Sequence, residues 1–260
     1  MTLKKTVATL AATLGLLLAA PLSGAASAKA ETLRIATEGA FPPFNMVDDQ
    51  GQAQGFDVDI AKALCAEMNA QCEIVTQDWD GLIPGLLAHK FDAIIASMSI
   101  TPERQQSVLF SDPYYYNQFH FVGAKDRSFT TTKEGLKGLT IGAQRATVSA
   151  QWLADNLADD VTIKLYDTAE EGYMDLTAGR LDLLLNDTYP TFDWLKSPAG
   201  QGYELKGDSV INDDKVGIAM RKDDTALAAA LNKALAGIIE KGVYAEINAK
   251  YFPFSLLTKQ

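Results

Sequence analysis

The chain reads as an α/β protein of two similar halves, and three observations predict this. Short runs rich in aliphatic and β-branched residues alternate with helix-periodic stretches, the alternation restarts midway, and one motif appears in both halves. In the first half, Leu33 to Thr37 predicts a strand, Asp57 to Met68 a helix, Glu73 to Gln77 a strand, Asp80 to His89 a helix and Phe91 to Ser97 a strand. The second half restarts with a strand at Leu139 to Gln144, a helix at Thr147 to Leu157, a strand at Val161 to Leu165, a helix at Thr168 to Ala178 and a strand at Leu181 to Asn186. The shared motif is a basic residue, an apolar-Asp step and a buried-type strand: His89-Lys90-Phe91-Asp92 parallels Gly179-Arg180-Leu181-Asp182. A helical stretch reaches Leu195, and a polar, glycine-containing region follows from Ser197 to Lys215. A strand-like run from Val216 to Met220 then leads into closing helices at Asp223 to Lys241 and Val243 to Tyr251.

Lys4 and Lys5 ahead of the apolar run Val7 to Ala20, then the small residues Ala26-Ser27-Ala28 or Ala28-Lys29-Ala30, predict a signal peptide. The cut falls after residue 28 or, alternatively, after residue 30. The run is too short for the roughly 20 apolar residues of a membrane span. No cysteine adjoins the cleavage site, which argues against a lipid anchor there. In an exported chain the two cysteines, Cys65 and Cys72, are expected to form a disulfide. The two histidines, His89 and His120, lie far apart and give a zinc site almost no material, so no metal and no cofactor is expected. The formal charge of −10 argues against nucleic acid as a partner. About 230 mature residues suffice for one large domain or two lobes.

Ligands of open α/β sheets sit beyond the carboxyl ends of the strands, so strand ends that break off in polar residues are the places to inspect. Here those ends are Ser97 and Asp187. Past Ser97, Thr101 reads as an N-cap and Pro102 and Glu103 suit a first helical turn, yet Arg104 follows in that same turn. A cation there opposes the helix dipole and makes sense as a partner for an incoming anion, with a bidentate carboxylate as the best fit. The helix start at Thr147 offers further backbone donors, and Asp187 is acceptor-only when ionised and suits an ammonium. One carboxylate site and one ammonium site describe an α-amino acid. Glu38, placed after the first strand, would receive a distal positive charge, and Phe41 and Trp79 would flank the side chain that carries it.

At this point the chain resembles the periplasmic solute-binding proteins of ABC importers for polar amino acids, family 3. Within them it is most similar to the lysine/arginine/ornithine, arginine and histidine binders. Gly55 to Cys65 (GFDVDIAKALC), Trp79 to Arg104, Phe110 to Tyr115 (FSDPYY) and Ala178 to Asp187 (AGRLDLLLND) carry the resemblance. It implies a two-lobe periplasmic binding protein (type II) fold with the ligand enclosed between lobes and two crossing strands. Lobe 1 would hold residues 31–115 and 216–260, lobe 2 residues 119–211, with hinges near 116–118 and 212–215. It further implies that Arg104 binds the α-carboxylate with Ser99 and the backbone of Thr147 and Val148, and that Asp187 binds the α-ammonium near Ser97 and Ser99. Phe41 and Trp79 fall where the family's aromatic sandwich sits, Glu38 falls where binders of basic amino acids carry an acid, and the Cys65 to Cys72 spacing agrees with a disulfide of that branch. Ala146-Thr147-Val148 lacks one hydroxyl usual at the helix start, and Ala96 replaces a frequent serine.

The expected function is a monomeric periplasmic receptor that closes on a basic L-amino acid, arginine before lysine or ornithine, and delivers it to an inner-membrane permease; it is not expected to be an enzyme. Two alternatives stay open: a binder of histidine or of an arginine-derived opine, and a periplasmic dehydratase on the same fold with Glu38 as general acid.

Overall fold

The structure is a computed structural model that describes residues 1–2 and 32–258. The apolar run and cleavage site expected of a leader lie outside the described residues. The first half comprises β1 (Leu33–Thr37), the short strands β2 (Ala40–Phe41), β3 (Asn45–Val47) and β4 (Ala53–Gln54), α1 (Phe56–Glu67) and β5 (Cys72–Thr76). A single 3-10 turn (Trp79–Gly81) leads into α2 (Leu82–Leu87), followed by β6 (Ala93–Ile94), α3 (Arg104–Ser107) and β7 (Val108–Phe110). The second half comprises β8 (Tyr115–Ala124), α4 (Lys133–Leu136), β9 (Thr140–Gln144), α5 (Val148–Leu157), β10 (Thr162–Tyr166), α6 (Ala169–Thr177), β11 (Leu183–Asp187), α7 (Thr188–Lys196) and β12 (Tyr203–Val216). The chain closes with β13 (Ala219–Arg221), α8 (Thr225–Glu240) and α9 (Val243–Tyr251).

These elements build two five-stranded sheets, β5-β1-β6-β13-β7 and β10-β9-β11-β8-β12. Each begins with the same parallel triplet, β1 between β5 and β6 in one and β9 between β10 and β11 in the other, and each continues into an antiparallel neighbour. This is the sequence repeat in three dimensions. The repeated aspartates explain why the motif recurs: Asp92 accepts a hydrogen bond from the Arg34 backbone N–H at 3.0 Å, and Asp182 accepts one from the Thr140 N–H at 2.7 Å. Each carboxylate ties the turn before the third strand to the neighbouring strand of its own sheet.

Helix ends follow their capping residues. Thr147 accepts from the Ala150 N–H, and Thr168 forms a reciprocal capping box with Glu171, which satisfies helix N–H groups that have no intrahelical partner. In α8, the spacing of Leu231, Ala234, Leu235 and Ile238 puts one buried stripe on one face, packed toward α1 and α9. Cys65 at the end of α1 and Cys72 at the start of β5 form the expected disulfide.

Three readings need correction. The polar region from Ser197 to Lys215 is largely strand: β12 pairs antiparallel with β8, itself a ten-residue strand that the sequence pattern did not reveal. Next, β13 begins at Ala219 rather than Val216, since Val216 ends β12 and Gly217, packed so close to Ile100 that a side chain would collide with it, follows before the next strand. Finally, β6 is confined to Ala93–Ile94: Asp92 is held in its turn, and Ser97 adopts φ 54, in the left-handed region that turns the chain out of the sheet.

Candidate functional site

The carboxyl ends of the parallel strands in both sheets converge on one cavity. Its lining includes all nine residues singled out as ligand-binding: Glu38, Phe41 and Trp79, then Ser97, Ser99 and Arg104, then Thr147, Val148 and Asp187. Ala96, Phe119 and Gln144 complete it.

Arg104 enters from α3, which is a single turn. The helix starts later than the sequence predicts, at Arg104 with Glu103 in the N-cap position rather than Thr101; the Thr101 hydroxyl nevertheless accepts the Arg104 backbone N–H at 3.1 Å, so that N–H is already used. The guanidinium carries the chemistry: one nitrogen donates to the Ser99 carbonyl at 2.9 Å, another to the Ala146 carbonyl at 3.1 Å, and the group lies over the Trp79 ring at 5.3 Å. Trp79 Nε1 donates to that same Ala146 carbonyl at 3.1 Å. Ala146 itself sits at φ 56, which aims its carbonyl at both donors. Burial pulls the guanidinium pKa down, while the charges of Asp214, Asp187 and Glu103 push it up.

Asp187, at the end of β11, is buried, and its carboxyl is pushed up to about 8. Desolvation is the main cause, the Asp214 charge adds to it, and hydrogen bonding from Asn117 and the charge of Arg104 oppose it. Asn117 Nδ2 donates to Asp187 at 2.5 Å. Glu38, also buried, is raised to about 7 by desolvation, with the Asp57 and Asp78 charges adding; it accepts from Gln144 Nε2 at 2.6 Å, which lowers the value. Both acids therefore sit near neutrality as free groups, and a cation placed beside either would draw it to the ionised form.

The hydroxyl protons of both serines are already engaged. Ser97 Oγ donates to the buried Asp57 at 2.9 Å and also meets the Tyr115 hydroxyl, and Ser99 Oγ donates to Asp214 at 3.0 Å, so the hydroxyl protons of both point into the protein and Ser99 keeps its lone pairs as free valences. Ser99 can thus accept from an ammonium, but its hydroxyl proton is already given to Asp214 and, as placed, is not offered to a ligand carboxylate. The Thr147 hydroxyl is consumed as well, donating to the Gln144 carbonyl at 2.6 Å and accepting from Ala150, which leaves backbone N–H groups at the start of α5 as its contribution.

A family model for bacterial extracellular solute-binding proteins, family 3, matches residues 33–254. The chain belongs to this family. As a family 3 solute-binding protein it is 40% identical over 251 residues to the L-arginine-binding protein of Pseudomonas aeruginosa, covering 94% of this chain and 97% of the relative. It is 38% identical over 256 residues to the lysine/arginine/ornithine-binding periplasmic protein of Escherichia coli, covering 94% and 97%. Among solved structures it resembles an ancestral arginine-binding protein bound to arginine, with a TM-score of 0.80 and 35% identity over 85% of this chain and 98% of that one. The family fold is the two-lobe type II periplasmic binding fold, and the two sheets described above are its two layers of α/β structure.

Within this solute-binding protein, sequence reasoning missed Gln144, Asp57, Asn117 and Asp214. Gln144 was within reach, because it is the polar end of β9 and obeys the same rule that selected Ser97 and Asp187. Asp57 lies inside the GFDVDIAKALC motif, yet nothing there signals that it would be fully buried beneath Ser97.

Proposed function

We propose that this solute-binding protein is the periplasmic receptor of an ABC importer and closes on a basic L-amino acid, arginine first and then lysine or ornithine. The observation that carries the reading is one cavity that sets a guanidinium, Arg104, against two separately placed acids, Asp187 and Glu38. A basic amino acid has the inverse pattern, one anion and two cations. Arg104 takes the α-carboxylate in a bidentate pair, helped by the first N–H groups of α5, and Asp187 takes the α-ammonium with the Ser99 lone pairs. The side chain extends between Phe41 and Trp79 toward Glu38, whose carboxyl ionises as the distal cation arrives. The relatives whose names specify arginine and lysine/arginine/ornithine support this assignment.

Closure is a hinge motion in which ligand contacts to both lobes favour the shut form. The proposed lobes are residues 31–115 with 216–260, and 119–211. The proposed hinges, 116–118 and 212–215, face one another in the β8–β12 ladder, where Asn117 pairs with Asp214 and Tyr116 with Lys215. The hydrogen bonds Glu38–Gln144, Trp79–Ala146 and Arg104–Ala146 all join the first half to the second across the cavity, and a bound ligand would work alongside them.

Calorimetry tests the reading. Arginine binds the wild-type protein, R104A and D187A abolish binding, and E38Q weakens arginine and lysine by ten-fold or more, on the order of 1.4 kcal/mol, while glutamine is little affected. Equal loss for glutamine would remove Glu38 from its role, and tighter binding of histidine or an opine than of arginine would reassign the ligand. A Glu38 carboxyl near neutrality is also what a dehydratase would use as an acid, but we read the protein as a binder; turnover of prephenate or arogenate would overturn that.

A further inference from the structure

The acidic wall behind the cavity does not end at Asp187. Three adjacent strands place Asp187 on β11, Asn117 on β8 and Asp214 on β12 side by side, with Asn117 directly paired to Asp214. The Asn117 amide nitrogen reaches both carboxylates, Asp187 at 2.5 Å and Asp214 at 3.5 Å, so the two carboxyl oxygens are no farther apart than those distances combined. Both acids are buried. The Asn117 Oδ1 is buried too and finds no hydrogen-bond partner among the described residues. An amide that donates to two acids with its nitrogen while its oxygen goes unmatched is a site short of one donor. Asp214 itself stays out of the cavity lining and reaches it through Ser99, whose hydroxyl it orients, and through Asn117.

We propose that Asp214 is a positioning residue for the ligand's α-ammonium: it shares one proton with Asp187 around Asn117, and the incoming ammonium takes that proton's place. This rests on the reading that Asp187 receives the ammonium. Two carboxylates this close and this dry resist carrying two negative charges, and the pair titrates as a unit. The groups that face the pair are Arg104 from α3, Tyr115 from β8, Tyr173 from α6 and Ser99 after β6; Arg104 is the cation whose field reaches both acids. Its single charge is also needed by the ligand carboxylate. With the ligand bound, the ammonium supplies positive charge at Asp187, both acids ionise, and one proton leaves to solvent. The raised Asp187 and Asp214 carboxyls, each shifted first by burial, agree with this.

The experiment is arginine calorimetry from pH 6 to 8, with protons counted at pH 7 from the difference between phosphate and Tris buffers. The wild-type protein should release more protons per ligand than D214N, by about half to one, and its affinity should fall between pH 8 and pH 6 by about ten-fold more than that of D214N. Equal proton counts and equal slopes in the two proteins overturn the inference while leaving the binding reading intact. A wild-type protein that binds no amino acid overturns both. Should D214N fail to fold, whichever of D214S and D214A folds carries the same comparison: a proton count lower than the wild-type one by about half to one supports the inference, and an equal count overturns it.

Discussion

Asp57 shows how one buried side chain can hold a binding surface in shape. It is fully buried at the start of α1 and accepts from Tyr114 Oη at 2.7 Å, Asn45 Nδ2 at 2.8 Å and Ser97 Oγ at 2.9 Å. Burial nevertheless dominates and lifts its carboxyl to about 6. Removing the acceptor leaves three buried donors unmatched, each costing about 1 to 3 kcal/mol. D57A should therefore lose about 3 kcal/mol or more in urea unfolding, whereas D57N, which keeps one acceptor oxygen, should lose distinctly less; equal losses would mean that volume rather than hydrogen bonding is at stake. The same network explains what a linear reading can find. Ser97, Glu38 and Asp187 were legible because polar residues at the ends of apolar strands are conspicuous. Asp57, Asn117 and Asp214 were not, because their meaning comes from partners 40, 70 and 115 residues away in sequence, brought near only by sheet order.

At the level of elements, the parallel triplets were legible and the antiparallel pair β8–β12 was not, and the difference is physical. Parallel strands covered by helices on both faces read as apolar runs, such as Leu183 to Leu185 of the fully buried β11. In contrast, β12 lies at the edge of its sheet, is exposed or half-buried over most of its length without regular alternation, and breaks register twice, so its sequence looks like a loop. The disulfide belongs to this scale as well. It links the end of α1 to the first residue of β5, whereas the cavity lies beyond the opposite, carboxyl ends of the strands. Closing so small a loop stabilises by roughly 2 to 3 kcal/mol in the chain-entropy model. A protein with both cysteines changed to serine should lose about that much in denaturant unfolding and keep its arginine affinity within about two-fold; a large loss of affinity would show that the link reaches the cavity.

For the whole molecule, the buried acids give stability and binding opposite dependences on pH. Asp57, Glu38 and Asp187 are raised to about 6, 7 and 8, so the folded chain holds these protons more tightly than the unfolded one. In the window from the ordinary carboxylate range up to those values the native state binds more protons, and stability falls as pH rises. Burial, the largest single influence on Asp92, raises its carboxyl, but the contacts with Arg34 and Arg221 together outweigh it and shift the group the other way; its contribution is lost only on acidification below the ordinary range, outside this window, whereas His120, lowered by burial, runs against the three raised acids inside it. Binding has the reverse sign, because the ligand cations need the ionised acids. Scanning calorimetry of the protein without ligand should therefore show Tm falling from pH 5 to pH 8, while the increase in Tm produced by saturating arginine grows over the same range. General self-repulsion of a chain with formal charge −10 also lowers Tm toward high pH, so the decisive comparison is E38Q. Removing this one acid should flatten the ligand-free decline between pH 5 and pH 7 and shrink the pH-dependent growth of the arginine effect. A decline as steep in E38Q as in the wild-type protein would assign the pH dependence to surface charge and separate it from the cavity.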